Sequence, residues 1–113
     1  MTRASSKSQS HKVLQAEVEA HPLYPVFMSA ITQAMYGKGE RHGGATIPFF
    51  RQQWLSQANL HGTGFLTGQC AKKIGEAASQ NLDDAEAFQR EALGAIVYAG
   101  MAILHQSGQA NDY

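Results

Sequence analysis

The feature that most constrains the fold of this chain is a long apolar helix predicted near the C-terminus, from about residue 84 to residue 106. Its central part, residues 93–104, contains no charged side chain. Asp83 or Asp84 is expected to cap the helix, because a carboxylate accepts hydrogen bonds from the free amides of a first turn. A helix this apolar is covered by other helices in a folded protein. The segment therefore predicts a helical bundle around it.

A second helix is predicted over residues 64–79, where Thr63 could cap the first turn, and a short turn separates it from the apolar helix. Both helices contain glycines, at positions 68, 75, 94 and 100. Each glycine costs about 1 kcal/mol relative to alanine, and a glycine kept inside a helix often marks the close approach of another backbone. We therefore expect the two helices to form a tightly packed antiparallel hairpin.

Two shorter helices are predicted upstream of this hairpin. An amphipathic stripe runs from Pro25 to Tyr36, with Pro25 in the first turn and Gly37 as the C-terminal cap. Residues 49–60 form the other helix, which carries Trp54. No segment shows the alternation of a β-strand. The predicted fold class is all-α: a small helical bundle with a C-terminal antiparallel helix hairpin, which we expect oligomerisation to complete.

The predicted domain organisation has three parts: a flexible or partly helical N-terminal leader at residues 1–20, a single helical domain at residues 21–106 and a flexible tail at residues 107–113. A chain of 113 residues is long enough for one domain. Only 16% of its residues are charged, below the usual quarter. Few charges leave apolar surface exposed on a small domain, so we expect a partner or self-association.

Charge, cysteine content and hydropathy exclude several classes of protein. The net charge is zero, which argues against general nucleic-acid binding. One cysteine, Cys70, cannot build a disulfide framework. No run of about 18 apolar residues predicts a membrane span, and the N-terminus lacks the apolar core of a secretory signal. These observations predict a cytoplasmic protein with no membrane partner.

A glycine-rich basic segment, residues 36–44, contains the strongest indication of a ligand site. Four of the eleven glycines lie here, interleaved with Lys38, Arg41 and His42. Glycine lets backbone amides turn toward a ligand, and the basic side chains supply the charge that an anion needs. The spacing differs from that of a Walker A loop. The segment is interpreted as an anion cradle, and a solvated loop between helices is the alternative.

Two charged positions on the hairpin admit both a functional and a structural interpretation. Lys73 could reach a phosphate held by the basic loop, or it could belong to the ordinary surface pairs of one helix. Glu91 could face a polar pocket between helices, or it could mark the exposed start of the last helix and pair near Arg90. The predicted ligand-binding residues are Tyr36, Lys38, Arg41, His42, Gly43, Gly44 and Lys73.

The five histidines and Cys70 provide no motif for metal or nucleophilic chemistry. No two histidines show the H-x-x-x-H spacing of a metal site. His42 and His61 both lie in glycine-bearing turns and could converge in space, but each is interpreted as a loop histidine. A thiol in an apolar helix is interpreted as inert. We therefore predict no catalytic residue, no metal ligand and no cofactor.

Four features, spread over residues 26–105, carry a resemblance to a known family. They are Tyr36-Gly37 before the basic loop, Trp54 on the following helix, Glu76 near the end of one helix and Glu91 early in a long apolar helix. The chain resembles the small all-α nucleotide pyrophosphohydrolases of the MazG-like group, including short phage-type dATP/dGTP diphosphohydrolase-like chains. That resemblance implies a helical fold, a nucleotide ligand and Mg²⁺.

The acidic motifs of that group are incomplete in this chain. Its members hold Mg²⁺ with Glu-x-x-Glu on one helix and Glu-x-x-Asp on the next. Here Lys73 and Ser79 flank Glu76 at a spacing of three, and Phe88 and Gly94 flank Glu91. One carboxylate per helix is too few for a dedicated two-ion site.

The sequence therefore favours a non-enzymatic binding protein that captures an anionic ligand, foremost a nucleotide. The phage-type resemblance implies an anti-defence role in which a signal nucleotide is sequestered. Two alternatives stay open. One is a Mg²⁺-dependent MazG-like nucleotide pyrophosphohydrolase that uses Glu76 and Glu91. The other is an inhibitor that binds a host protein directly.

Overall fold

The structure is all-α, as the sequence predicts. The computed structural model describes residues 14–37, 48–80 and 83–109, and 83% of these residues are helical with no strand among them. Five α-helices occur within these ranges: α1 at residues 14–20, α2 at Tyr24–Thr32, α3 at Gln53–His61, α4 at Gly64–Ala78 and α5 at Ala85–Gln106. Residues 1–13 of the predicted leader and residues 110–113 of the predicted tail lie outside the described ranges.

Helices α4 and α5 form the predicted antiparallel hairpin, which is the most extensive helix pairing in the described part of the chain. Asp84 caps α5 by accepting a hydrogen bond from the backbone amide of Ala87 at 3.0 Å. Lys73 pairs with Glu91, whereas Cys70, one turn earlier, donates a weak hydrogen bond to the carbonyl of Ala95. The residue further along α4 thus contacts the residue nearer the start of α5. This order defines the antiparallel register.

The hydrophobic core lies where α3 crosses the hairpin. Its buried residues are Trp54, Leu55 and Ala58 of α3, Leu66 of α4, and Met101 and Ala102 of α5. Phe49 and Phe50, from a short 3₁₀ turn at Phe49–Arg51, pack against this cluster. The predicted helix over residues 49–60 is thus a 3₁₀ turn followed by α3.

Helix α2 lies along the hairpin near the start of α5. Ala30 is its only buried residue, so the contact with α5 is a narrow strip. Pro25 occupies the first turn of α2, as predicted. The helix continues as a π-helical turn at Gln33–Gly37, and the Gln33 amide donates a hydrogen bond to the carbonyl of Arg90 at 3.3 Å.

The expectation that the helix glycines mark the close approach of another backbone is wrong at all four positions. A Cβ at Gly68, Gly75 or Gly100 would meet no atom within 4 Å outside its own helix turn. These glycines therefore mark no close approach within the described chain. Only Gly94 is tightly packed, and its neighbours are side chains rather than a backbone: its Cβ would lie 3.3 Å from Lys73 Cδ.

Thr63 holds the N-cap position of α4 but makes no capping hydrogen bond with its side chain. Its hydroxyl lies 2.7 Å from Nδ1 of His105, whose Nε2 lies 3.1 Å from Oδ1 of Asn59. The network ties the end of α5 to the turn between α3 and α4. Ile74 of α4 is exposed.

Candidate functional site

A cluster of charged side chains lies between α4 and α5, next to the end of α2. The ammonium nitrogen of Lys73 is 3.1 Å from a carboxylate oxygen of Glu91 and 3.6 Å from one of Glu76. The side chains of Lys73 and Glu91 are only 18% and 13% exposed. The pair is therefore shielded from solvent, and its attraction is stronger than that of an ordinary surface ion pair.

The position of this cluster is determined by the register of α4 against α5 and by the small size of Gly94. Lys73 and Glu76 lie three residues apart on α4 and so share a face. Glu91 meets them from the second turn of α5. The Lys73 side chain crosses α5 at Gly94, where a larger residue would occupy the path of its Cδ atom. Gly94 therefore makes room for the aliphatic part of the lysine.

The Glu91 carboxyl is held in its charged form. A hydrogen bond with the Glu76 side chain and another from Lys73 lower the pKa of Glu91 below its ordinary value of 4.5. Burial opposes this shift, while the positive charges of Lys73 and Arg90 add to it. The cations outweigh the desolvation cost, so Glu91 is an anion at neutral pH.

Two further cations flank the cluster at its solvent side. Lys72 lies 3.8 Å from Glu76, and Arg90 lies 3.8 Å from Glu91. Both side chains are about two-thirds exposed. Three cations thus surround two carboxylates, and the cluster presents a positive rim to solvent.

The structure shows which partners the two hairpin charges have within the described residues. Lys73 is engaged by Glu76 within α4 and by Glu91 across the hairpin, so it is more than a member of one surface pair. Glu91 faces the space between helices and also approaches Arg90, its sequence neighbour. His105, further along α5, belongs to the network with Thr63 and Asn59.

Described residues on both sides of the basic loop, residues 38–44, contact the bundle. At its start, the π turn is tied to α5 through Gln33. At its end, the indole nitrogen of Trp54 donates a hydrogen bond to the carbonyl of Phe49 at 2.8 Å, and the two rings are 5.0 Å apart. Tyr36 lies in the π turn. The other predicted loop ligands, Lys38, Arg41, His42, Gly43 and Gly44, lie outside the described residues.

The carboxylates of the enzyme alternative, Glu76 and Glu91, come together, but an ammonium group lies between them. Lys73 approaches both, at the place where a divalent cation bridging them would bind. In the described ranges, no group of three or more histidine, cysteine, aspartate or glutamate residues is arranged to hold a metal ion. The donor set around Lys73 fits an ammonium better than Mg²⁺, which takes several oxygen ligands.

Sequence reasoning missed a depression further along α5, between α3 and the start of α4. Seven residues line it: Gln52, Gln53, Trp54, Gln57, Phe65, Tyr98 and Met101. Its volume is about 100 Å³. The sequence contains one signal that could have indicated this depression: several glutamines lie around the only tryptophan of the chain.

Among the helices in the described ranges, none combines the length and apolar character that crossing a membrane requires. The chain matches no protein-family model, no curated protein and no solved structure.

Proposed function

We propose that this protein is a non-enzymatic binding protein that captures an anionic ligand, foremost a nucleotide, in the basic loop at residues 38–44. The observation that carries the proposal is the anchoring of both loop ends to the bundle. Gln33 holds the start against α5, and the Phe49–Trp54 contact holds the end against α3. Fixed ends reduce the conformational freedom that the loop loses when it closes on a ligand.

The surroundings of the loop start favour a negatively charged ligand. Gln33 and Lys73 both approach the Cβ position of Gly94, so the π turn lies next to the charged cluster. Lys72 and Arg90 form the positive rim there. Lys38 and Arg41 follow the π turn by one and four residues. A ligand phosphate in the loop would gain from each of these charges.

Capture is favoured over hydrolysis by the position of Lys73. Magnesium-dependent hydrolysis at Glu76 and Glu91 would require the Lys73 ammonium to leave the two carboxylates. Those ion pairs are partly buried, so breaking them is costly. The proposed anti-defence role follows from capture: a phage-type protein that sequesters a signal nucleotide in the host cytoplasm needs affinity and no turnover.

The double substitution Lys38→Ala/Arg41→Ala should weaken nucleotide binding by at least about 100-fold, because two charge-assisted contacts to phosphate are removed. Titration calorimetry with a nucleotide panel, with and without Mg²⁺, measures the affinity. Lys7→Ala/Lys12→Ala removes the same charge from the N-terminal segment and should leave the affinity unchanged. Equal affinity in the loop variant would contradict the proposal, and hydrolysis products in the chromatographed mixtures would favour the enzyme alternative.

We also propose that the protein is a homo-oligomer that associates through the outer face of α2. Leu23, Phe27 and Ile31 are spaced four residues apart on this face, and each is about half exposed. Residues spaced in this way form a ridge that packs into the groove of another helix. Residues 20–37 contain no Asp, Glu, Lys or Arg. Two copies can therefore meet at a two-fold axis without placing like charges opposite each other.

The substitution Ile31→Asp should convert the oligomer to a monomer, because it introduces a carboxylate from each copy into the apolar symmetric interface. Ser29→Asp adds the same charge on the opposite flank of α2 and should leave the assembly intact. Sedimentation velocity at about 100 µM measures the size, and circular dichroism checks the helix content. A monomeric unsubstituted protein would contradict self-association. The exposed ridge would then favour the second candidate function, an inhibitor that binds a host protein through α2.

A further inference from the structure

The depression between α3, the start of α4 and α5 has an unusual chemical lining. Three of its seven residues are glutamines and three are aromatic. None of the seven carries a charge. Gln53 and Gln57 are exposed at its border, whereas Trp54 is buried and forms part of its wall. The site thus combines a fixed aromatic surface with amide groups that are accessible to a ligand.

This combination matches the chemistry of a nucleobase. A glutamine amide presents a donor and an acceptor side by side, which is the pattern that the edge of a base offers in return. Aromatic side chains contact the faces of a base. Neutral amides suit a neutral heterocycle, since a charged ligand would call for an opposite charge in the lining.

The size of the depression selects a small planar group. An apolar cavity of about 150 Å³ holds one benzene molecule. The depression measures about 100 Å³ and is open to solvent on one side. It is smaller than that cavity and open on one side, so it can receive one edge of a single six-membered ring, with the remainder of the ligand outside. This ring would be a pyrimidine or the six-membered part of a purine.

The chain places this depression near the end of the basic loop. Gln52 and Gln53 follow Gly44, the last predicted loop ligand, by eight and nine residues. Fully extended, nine residues span about 30 Å, and the 3₁₀ turn at Phe49–Arg51 shortens the path. Only a short stretch of chain therefore separates the depression from the predicted anion-binding residues.

We propose that the depression is the nucleobase subsite of this protein. The inference rests on the proposed function, because it assigns the base of the ligand whose phosphates the basic loop binds. Gln53 and Gln57 read the hydrogen-bonding edge of the base, and Trp54 and Phe65 provide apolar contact with the ring.

Trp54 is the only tryptophan of the chain, so its fluorescence reports directly on this subsite. Adenosine and cytidine at millimolar concentration should change the Trp54 emission, after correction for their own absorbance, although they carry no phosphate. Nucleoside triphosphates should produce the same change at lower concentration. Inorganic pyrophosphate should bind in calorimetry and leave the emission unchanged.

The variant Gln53→Ala/Gln57→Ala should weaken nucleotide binding by about tenfold or more and leave pyrophosphate binding unchanged. Gln89→Ala removes an exposed amide from α5, away from the depression, and serves as the control. No emission change with nucleosides, or unaltered nucleotide affinity in the double variant, would overturn the subsite.

The proposed function and the subsite fail in different ways. Pyrophosphate binding without any nucleoside response would retain the anion loop and overturn the subsite. A nucleoside response that Gln53→Ala/Gln57→Ala abolishes, in a protein that does not bind pyrophosphate, would retain the subsite and contradict anion capture.

Discussion

Replacing Lys73 with methionine should lower the free energy of unfolding by about 2–4 kcal/mol at neutral pH, because it leaves a shielded carboxylate without its cation. The Glu91 side chain is 13% exposed and receives the Lys73 hydrogen bond at 3.1 Å. Methionine preserves most of the aliphatic packing against Gly94. The decrease in the free energy of unfolding therefore reports the contribution of the Lys73 charge and its hydrogen bonds. Urea unfolding monitored by circular dichroism provides the free energy.

The same substitution should weaken the pH dependence of this site. In the unsubstituted protein the pKa of Glu91 is below 4.5, so its contribution to stability is present above that pH. That contribution is lost as the pH falls through the pKa of the folded state. Without Lys73, its hydrogen bond and its positive charge no longer lower the pKa of Glu91, while burial still raises it. The variant should therefore gain stability relative to the unsubstituted protein as the pH falls from 7 toward 4.5.

Lys72→Met is the matched control for this experiment. The Lys72 side chain is 66% exposed and lies 3.8 Å from Glu76. Exposed ion pairs of this kind contribute between zero and about 1 kcal/mol. The control should lose less than about 0.5 kcal/mol and keep the ordinary pH dependence. Equal losses for the two lysine variants would contradict the assignment of Lys73 as the cation that organises the cluster.

Replacing Leu66 with alanine should lower the free energy of unfolding by about 3–5 kcal/mol, because it opens a cavity in the centre of the core. Leu66 has an exposed fraction of 0% and belongs to the cluster of Trp54, Leu55 and Met101. In a domain of this size, such a loss corresponds to a decrease in Tm of about 10–20 °C. Thermal unfolding followed by circular dichroism measures the shift.

Leu60→Ala removes the same atoms from an exposed position. Leu60, in the last turn of α3, is 74% exposed. Its substitution should change the free energy of unfolding by less than about 0.5 kcal/mol. A small loss for Leu66→Ala, comparable to that of the control, would contradict the placement of the core at the crossing of α3 and the hairpin.

The helices of the hairpin could be predicted closely from the sequence because their signals are local. The predicted last helix, residues 84–106, agrees with α5 at Ala85–Gln106, and the predicted aspartate cap is present at Asp84. The predicted start of the preceding helix at residue 64 agrees with α4. Capping residues and hydrophobic periodicity depend on residues close together in the chain. They can therefore be recognised without knowledge of the tertiary structure.

The pairing of charges across the hairpin could not be predicted in the same way. Lys73 and Glu76 share a face by their spacing, but Glu91 is 18 residues from Lys73. Their contact depends on the register of α4 against α5. The same register decides that Gly94 faces a neighbouring side chain while Gly75 does not. The Thr63 side chain was predicted to cap α4. It contacts His105 instead, because the end of α5 packs near the turn before α4.

The amino-acid sequence by itself determined the helices of the hairpin, the cap of α5 and the concentration of glycine and positive charge at residues 36–44, because local periodicity and composition specify each of them. Only the tertiary structure decided which charges meet, which glycine is packed and where glutamines and aromatic rings surround one depression. Those contacts join residues distant in the chain. Their geometry depends on the packing of α3 and α4 against α5.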